Sequence, residues 1–220
     1  MLSASAGMGG SLILVPTLSL LLGAKQGIAL SALLLSCNNV AKLAAYRRTV
    51  PLKASLGLLA LTVAGSALGA RLLVAAPDHL VHIAIVTSLS AAFLLEQIKL
   101  PQIRQSASPL AAFFAGATSG FSGTSGPLKG LAIRSLSLDR LHFLGAASAI
   151  SLAGDLMKTA VFAEASLLDT TSWSVILLAI PLMPLAALAG RQLNTRIGER
   201  AFAGLFWTVM AGYTLRLILR

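Results

Sequence analysis

Residues 109–128, PLAAFFAGATSGFSGTSGPL, form a stretch of 20 residues without a charged side chain. About 20 mostly apolar residues are enough to cross a bilayer as a helix. Within it, residues 116–126 hold four glycines and five Ser/Thr residues, and Pro127 follows. Glycine is a poor helix former, so we expect the helix to break here. The alternative is a regular helix whose small residues form a packing face.

Seven further apolar stretches lie on either side of this one. They span 1–24, 26–46, 52–76, 80–95, 141–163, 173–190 and 201–215. Of the 220 residues, 56% are hydrophobic and only 11% are charged, which is too few charges to cover a water-soluble protein. The sequence therefore predicts an all-α polytopic membrane protein with about eight hydrophobic segments embedded in a lipid bilayer. A soluble enzyme, a disordered chain and a disulfide scaffold are excluded.

The net charge of +10 comes from 17 Lys and Arg residues against 7 Asp and Glu residues. Most of these cations lie in short links between apolar segments, as the positive-inside rule predicts, so we expect no nucleic-acid partner. The single cysteine, Cys37, has no internal disulfide partner. No HExxH, Walker A or Cys/His cluster is found in the sequence, which predicts no metal, no cofactor and no ATP-driven pump.

The first apolar segment contains a smaller Gly-rich motif, SAGMGGS at residues 5–11, followed by Pro16. A shift of 116 residues aligns this motif with the one at mid-chain and also aligns two polar positions. The aligned pairs are Gly7 with Gly123, Gly10 with Gly126, Asn39 with Asp155, and Lys42 with Lys158. This pattern predicts an internal duplication, with a first membrane repeat at 1–105 and a second at 106–220 in one integral membrane domain.

The charges of equivalent links indicate that the two repeats are inverted. The link after the second segment carries Arg47, Arg48 and Lys53, whereas its counterpart after the sixth carries Glu164 and Asp169. Because basic links mark the cytoplasmic side, equivalent links lie on opposite sides, as inverted repeats require. We therefore expect each repeat to begin with a Gly-rich broken or re-entrant helix.

A broken helix exposes backbone N–H groups whose dipoles favour an anion. Ionisable residues inside a membrane are costly, so each of them is a functional candidate by default. These two arguments select the candidate substrate-binding residues. They are Gly7, Gly9, Gly10, Ser11, Asn39, Lys42, Ser122, Gly123, Thr124, Ser125, Gly126, Asp155 and Lys158. Two alternatives stay open: Lys42 extends to the membrane interface, and Lys158 only neutralises Asp155, three residues before it.

An intramembrane hydrolase is the main rival interpretation. Residues 120–123 (GFSG) and 123–126 (GTSG) fit the GxSG tetrapeptide that carries the nucleophilic serine of rhomboid proteases. Such a serine needs a histidine base on a later helix. The histidines are His79, His82 and His142, and the last of them precedes the sixth segment. We therefore expect a protein that is not an enzyme, with a rhomboid-type hydrolase or an accessory membrane subunit as the alternatives.

Three stretches resemble the sulfite exporter TauE/SafE family of membrane permeases. They are GMGGSLILVP (7–16), NNVAKLAAYRR (38–48), and GFSGTSGP (120–127) followed by SLDR (137–140). The resemblance covers nearly the whole chain. It implies a multi-pass transporter of the inner cell membrane for a small anion such as sulfite, a sulfonate or another organosulfur anion. We expect alternating access coupled to an ion gradient, with H⁺ or Na⁺ as the coupling ion.

Overall fold

The computed structural model describes residues 9–97 and 107–168, together with six separate positions between 204 and 215. These residues contain helices and no strand. The helices are α1 (Gly9–Leu22), α2 (Ala24–Tyr46), α3 (Leu52–Ala75), α4 (Asp78–Gln97), α5 (Ser108–Ser122), α6 (Gly126–Arg134) and α7 (Arg140–Glu164). A short 3₁₀ turn, Arg47–Thr49, links α2 to α3. The predicted all-α fold class is thus confirmed for the described part of the chain.

Local sequence signals explain where α5 and α7 begin and end. Pro109 lies in the first turn of α5, where its missing N–H costs nothing, and Gly123 ends the helix with a φ of 82°. Asp139 caps α7 by accepting a hydrogen bond from the backbone N–H of His142. The side-chain hydrogen bond with His142 also lowers the pKa of the exposed Asp139 carboxyl below its ordinary value.

Three helical segments are long and apolar enough to cross a membrane: Ala24–Thr49, Leu52–Ala75 and Arg140–Glu164. On α3, Leu56, Leu68 and Leu72 are exposed on the surface of the protein, which suits contact with lipid rather than with water. The apolar helices Ser11–Leu22 and Asp78–Ala92 are shorter. The total of eight segments stays a prediction, since residues 173–190 and most of 201–215 lie outside the described residues.

Helices α2 and α7 pack against each other in opposite directions. A Cβ atom placed on Gly145 would lie 2.5 Å from the Thr49 carbonyl oxygen, just beyond the end of α2. Further along, Asn39 contacts Asp155, and Ser36 contacts Thr159. Along these contacts the residue numbers increase in α7 while they decrease from Thr49 back through α2, so the two helices are antiparallel. With the 116-residue shift, α2 (24–46) corresponds to 140–162, which lies within α7; these two helices thus have the relative direction that inverted repeats require.

Helices α3 and α5 pack with their backbones in close contact. Gly65 and Gly69 of α3 face Gly116 and Gly120 of α5, and a Cβ atom on any of the four would collide with the backbone of the facing helix. This contact corrects one prediction: residues 116–122 remain helical despite their glycines, because close packing on α3 compensates for the low helix propensity. The helix ends only at 123–125. In the first motif, residues 9–11 are likewise helical.

Two apolar clusters lie on either side of the polar contacts between α2 and α7. The larger one joins residues of α1, α2, α3, α4 and α7, including Leu12, Val15, Ile28, Leu73, Ile85, Leu89 and Phe162. The smaller one joins α3, α5, α6 and α7 through Leu58, Ala112, Ala132, Ile133, Ala146 and Ile150. Charged side chains between two such clusters are shielded from solvent, so each requires a partner of its own.

Candidate functional site

One face of α7 carries the polar residues of the site. Ser151, Asp155 and Lys158 follow one another at intervals of four and three residues, which places them on the same side of the helix. Lys158 is only 1% exposed, and its Nζ atom lies 2.7 Å from Asp155 Oδ1. The pair predicted from the i,i+3 spacing therefore forms, deep between the packed helices.

The second carboxylate oxygen of Asp155 is held by a residue of α2. Asn39 Nδ2 on α2 donates a hydrogen bond of 2.7 Å to Asp155 Oδ2, and both side chains are buried. These two positions are separated by the same 116 residues that align the proposed repeats. Two repeats related by a two-fold axis would bring equivalent residues near that axis into contact, and the repeats themselves stay a prediction.

Two lysines connect α7 to the two sides of the helix break at 123–125. Lys158 Nζ donates a hydrogen bond of 2.9 Å to Ser119 Oγ on α5, before the break. Lys129, in the first turn of α6 and after the break, donates a hydrogen bond of 2.8 Å from Nζ to Ser151 Oγ. The face of α7 that carries Asp155 thus holds both halves of the interrupted helix.

Positive charge exceeds negative charge in this cluster. Lys42, one turn after Asn39 on α2, interacts electrostatically with Asp155. Lys129 does so with Asp155, Lys158 and Lys42. Three lysines therefore interact electrostatically with the Asp155 carboxylate, and Lys158 is paired with it directly. Clustered cations of this kind attract anions.

The glycine motif at mid-chain supplies the backbone around the break. Gly123 adopts a left-handed conformation, while Ser122 is buried and donates its hydroxyl to the Thr118 carbonyl of its own helix. Thr124 is buried. Ser125 is the residue directly before α6, and its side chain makes no capping hydrogen bond to the helix. The backbone N–H groups of the first turn of α6 therefore receive no hydrogen bond from the Ser125 side chain.

The first glycine motif contributes mainly through α1. Gly9 and Gly10 lie in the first turn of α1 and Ser11 is half-buried, whereas Gly7 lies outside the described residues. Val15 of α1 is fully buried, and a Cβ atom on Gly123 would lie 2.8 Å from its Cγ2 atom. The helices of the two motifs thus meet next to the break, although Gly9 and Gly10 themselves form ordinary helix.

Comparison with known proteins identifies the family. The sequence model of the sulfite exporter TauE/SafE family matches residues 1–217. The chain belongs to the TauE/SafE family. It is therefore a member of a family of membrane transporters, as the resemblance of its three motifs predicted. A search of curated proteins and a search of solved structures each give no match.

Sequence reasoning missed three residues of this TauE/SafE site. Ser119 accepts the Lys158 hydrogen bond, and Lys129 and Ser151 bind each other. Ser151 carries a usable signal, because it lies one turn before Asp155 on the same face. Ser119 and Lys129 lie on other helices, and their proximity depends on the packing of α5 and α6 on α7, which residue spacing does not encode.

The hydrolase interpretation lacks support in this TauE/SafE protein. Ser122, the serine of the first GxSG tetrapeptide, is buried and uses its hydroxyl within α5. His142, the proposed base, is exposed and pairs with Asp139 at the start of α7. Among the described residues, no group of three or more His, Cys, Asp or Glu side chains could hold a metal ion.

Proposed function

We propose that this protein is a secondary transporter that binds a small anion between α2, α6 and α7. One observation carries this proposal: Lys42, Lys129 and Lys158 all interact electrostatically with the carboxylate of Asp155, which is buried between the packed helices. Cations that lie close together repel one another. An anion bound at the cluster reduces this repulsion, so the cluster favours one.

The helix break adds a second attraction for an anion. The first turn of α6 has backbone N–H groups without partners inside the helix, and the helix dipole places partial positive charge there. Lys129 lies in this turn and Lys158 contacts α5 just before the break. Broken helices that present their N-termini to anionic groups are typical of inverted-repeat transporters.

The substrate class follows from membership of the sulfite exporter TauE/SafE family. We propose sulfite, a sulfonate or another organosulfur anion, moved across the inner cell membrane by alternating access. Coupling to a gradient of H⁺ or Na⁺ is part of this proposal. The 116-residue shift aligns α2 with α7, and these two helices pack in opposite directions. This packing supports an arrangement in which two inverted halves move relative to each other.

A thermal-shift screen of the purified protein tests this function. Sulfite, thiosulfate and sulfonates should raise the melting temperature in proportion to the logarithm of their concentration above Kd, because a ligand stabilises the state that binds it. Chloride at equal ionic strength is the control for general salt effects. Equal melting temperatures with all anions would contradict the proposed site.

A further inference from the structure

Lys129 and Lys158 differ in the group that accepts their hydrogen bonds and in the charge of that group. Lys158 Nζ lies 2.7 Å from a carboxylate oxygen of Asp155, so its charge is paired directly. The hydrogen bond of Lys129 goes to the neutral hydroxyl of Ser151 at 2.8 Å. A hydroxyl accepts a hydrogen bond but carries no negative charge, which leaves the positive charge of Lys129 less compensated than that of Lys158.

The position of Lys129 in α6 increases this difference. It is the fourth residue of the helix, in the turn where the helix dipole repels a cation and attracts an anion. Asp155 attracts the Lys129 ammonium group, whereas Lys158 and Lys42 each repel it. Because the Asp155 carboxylate is already paired directly with Lys158, an anion meets less competition at Lys129 than at Lys158.

We propose that Lys129 makes the direct ionic contact with the transported anion, and that Lys158 acts as a positioning residue. This assignment rests on the proposed function and deepens it. In the absence of substrate the Ser151 hydroxyl accepts the Lys129 hydrogen bond, and the anion replaces that hydroxyl when it binds. Lys158 remains with Asp155 and Ser119, and so keeps α5 and α7 in place around the substrate.

The same geometry has a purely mechanical explanation, which makes a different prediction. If Lys129 only ties α6 to α7, then removal of either partner of its hydrogen bond should have the same effect. If Lys129 binds the anion, removal of the Ser151 hydroxyl should favour binding, because the anion no longer competes with a hydroxyl. The pair Lys129→Gln and Ser151→Ala therefore separates the two roles.

The test is the apparent KM for uptake of labelled sulfite by proteoliposomes that contain each variant. Lys129→Gln should raise the apparent KM by about tenfold or more, the loss expected for a hydrogen bond to a charged group. Lys129→Arg should retain part of the affinity. Ser151→Ala should lower the KM, because the anion then no longer competes with the Ser151 hydroxyl for Lys129. Lys53→Gln, which removes an exposed lysine at the start of α3, is the matched charge control and should leave KM unchanged.

Because the apparent KM does not depend on the amount of folded protein, a lower yield of one variant does not obscure the result. An unchanged KM in Lys129→Gln overturns the assignment while the proposed function stands. A KM raised equally in Lys129→Gln and Ser151→Ala overturns it in favour of the mechanical tie. A wild-type protein without saturable sulfite uptake overturns the proposed sulfite transport and this assignment together.

Discussion

At the scale of single residues, the stability of the site depends on how its buried charges are neutralised. Lys158 is 1% exposed and Asp155 is 7% exposed, and each satisfies the other directly. Asn39 and Ser119 complete their hydrogen bonds from two other helices. Removing one partner of a buried pair leaves an uncompensated charge, whereas removing both does not.

Lys158→Leu should therefore destabilise the protein strongly, by about 3–5 kcal/mol, because Asp155 loses its counter-charge. The double variant Lys158→Leu with Asp155→Leu should recover most of the lost stability. The measurement is the melting temperature of each purified variant in the same detergent. A single variant as stable as the double variant would contradict the ion pair.

Part of this site could be predicted from sequence and part could not. The i,i+3 spacing of Asp155 and Lys158 gives their contact at once, since both lie on one helix. The 116-residue offset pointed to Asn39 as the equivalent of Asp155, but their direct hydrogen bond follows from the packing of α2 on α7. Lys129 was missed because nothing in its immediate sequence shows that α6 brings it beside α7.

At the scale of helices, the contact between α3 and α5 decides how the Gly-rich stretch folds. Sequence reasoning treated residues 116–126 as one break, whereas the break occupies 123–125 and the preceding glycines pack on α3. Composition alone does not distinguish the two uses of glycine. Gly116 and Gly120 permit close approach of two backbones, while Gly123 provides the left-handed conformation that ends α5.

Two glycines of α3 provide a matched test of this packing. A leucine at Gly65 would place its Cβ atom against the carbonyl oxygen of Phe113, whereas nothing lies within 4 Å of a Cβ atom at Gly57. Gly65→Leu should lower the melting temperature sharply, by the equivalent of at least about 1–3 kcal/mol. Gly57→Leu should keep or slightly raise it, because leucine is the better helix former. Equal melting temperatures would contradict the close contact of α3 with α5.

At the scale of the whole molecule, the antiparallel packing of α2 and α7 sets the orientation of the chain. The basic turn after α2 lies beside the first turns of α7, where Gly145 faces Thr49, so the cations of this turn lie at the end of the helices where α7 begins. Glu164 ends α7 and therefore lies at the opposite end of that helix. This arrangement agrees with the positive-inside rule for the described helices. The division into repeats at 1–105 and 106–220 stays a prediction, since much of the second half lies outside the described residues.

Cysteine labelling in intact cells tests this orientation. In a background with Cys37→Ser, cysteines at positions 48 and 196 should react only after the membrane is made permeable. A cysteine at position 164 should react from outside with a membrane-impermeant maleimide. The charges of the links motivate all three expectations. Positions 48 and 196 on opposite faces would reject the inverted arrangement.

Uptake of labelled sulfite into proteoliposomes is the most direct test of the central claim, that the lysine cluster around Asp155 binds an anion for transport. We expect saturable uptake by the wild-type protein, competition by unlabelled thiosulfate or sulfonate, and loss of affinity in the Lys129→Gln variant. Empty liposomes give the background. Uptake no greater than this background, or uptake that neither saturates nor responds to Lys129→Gln, would contradict the account.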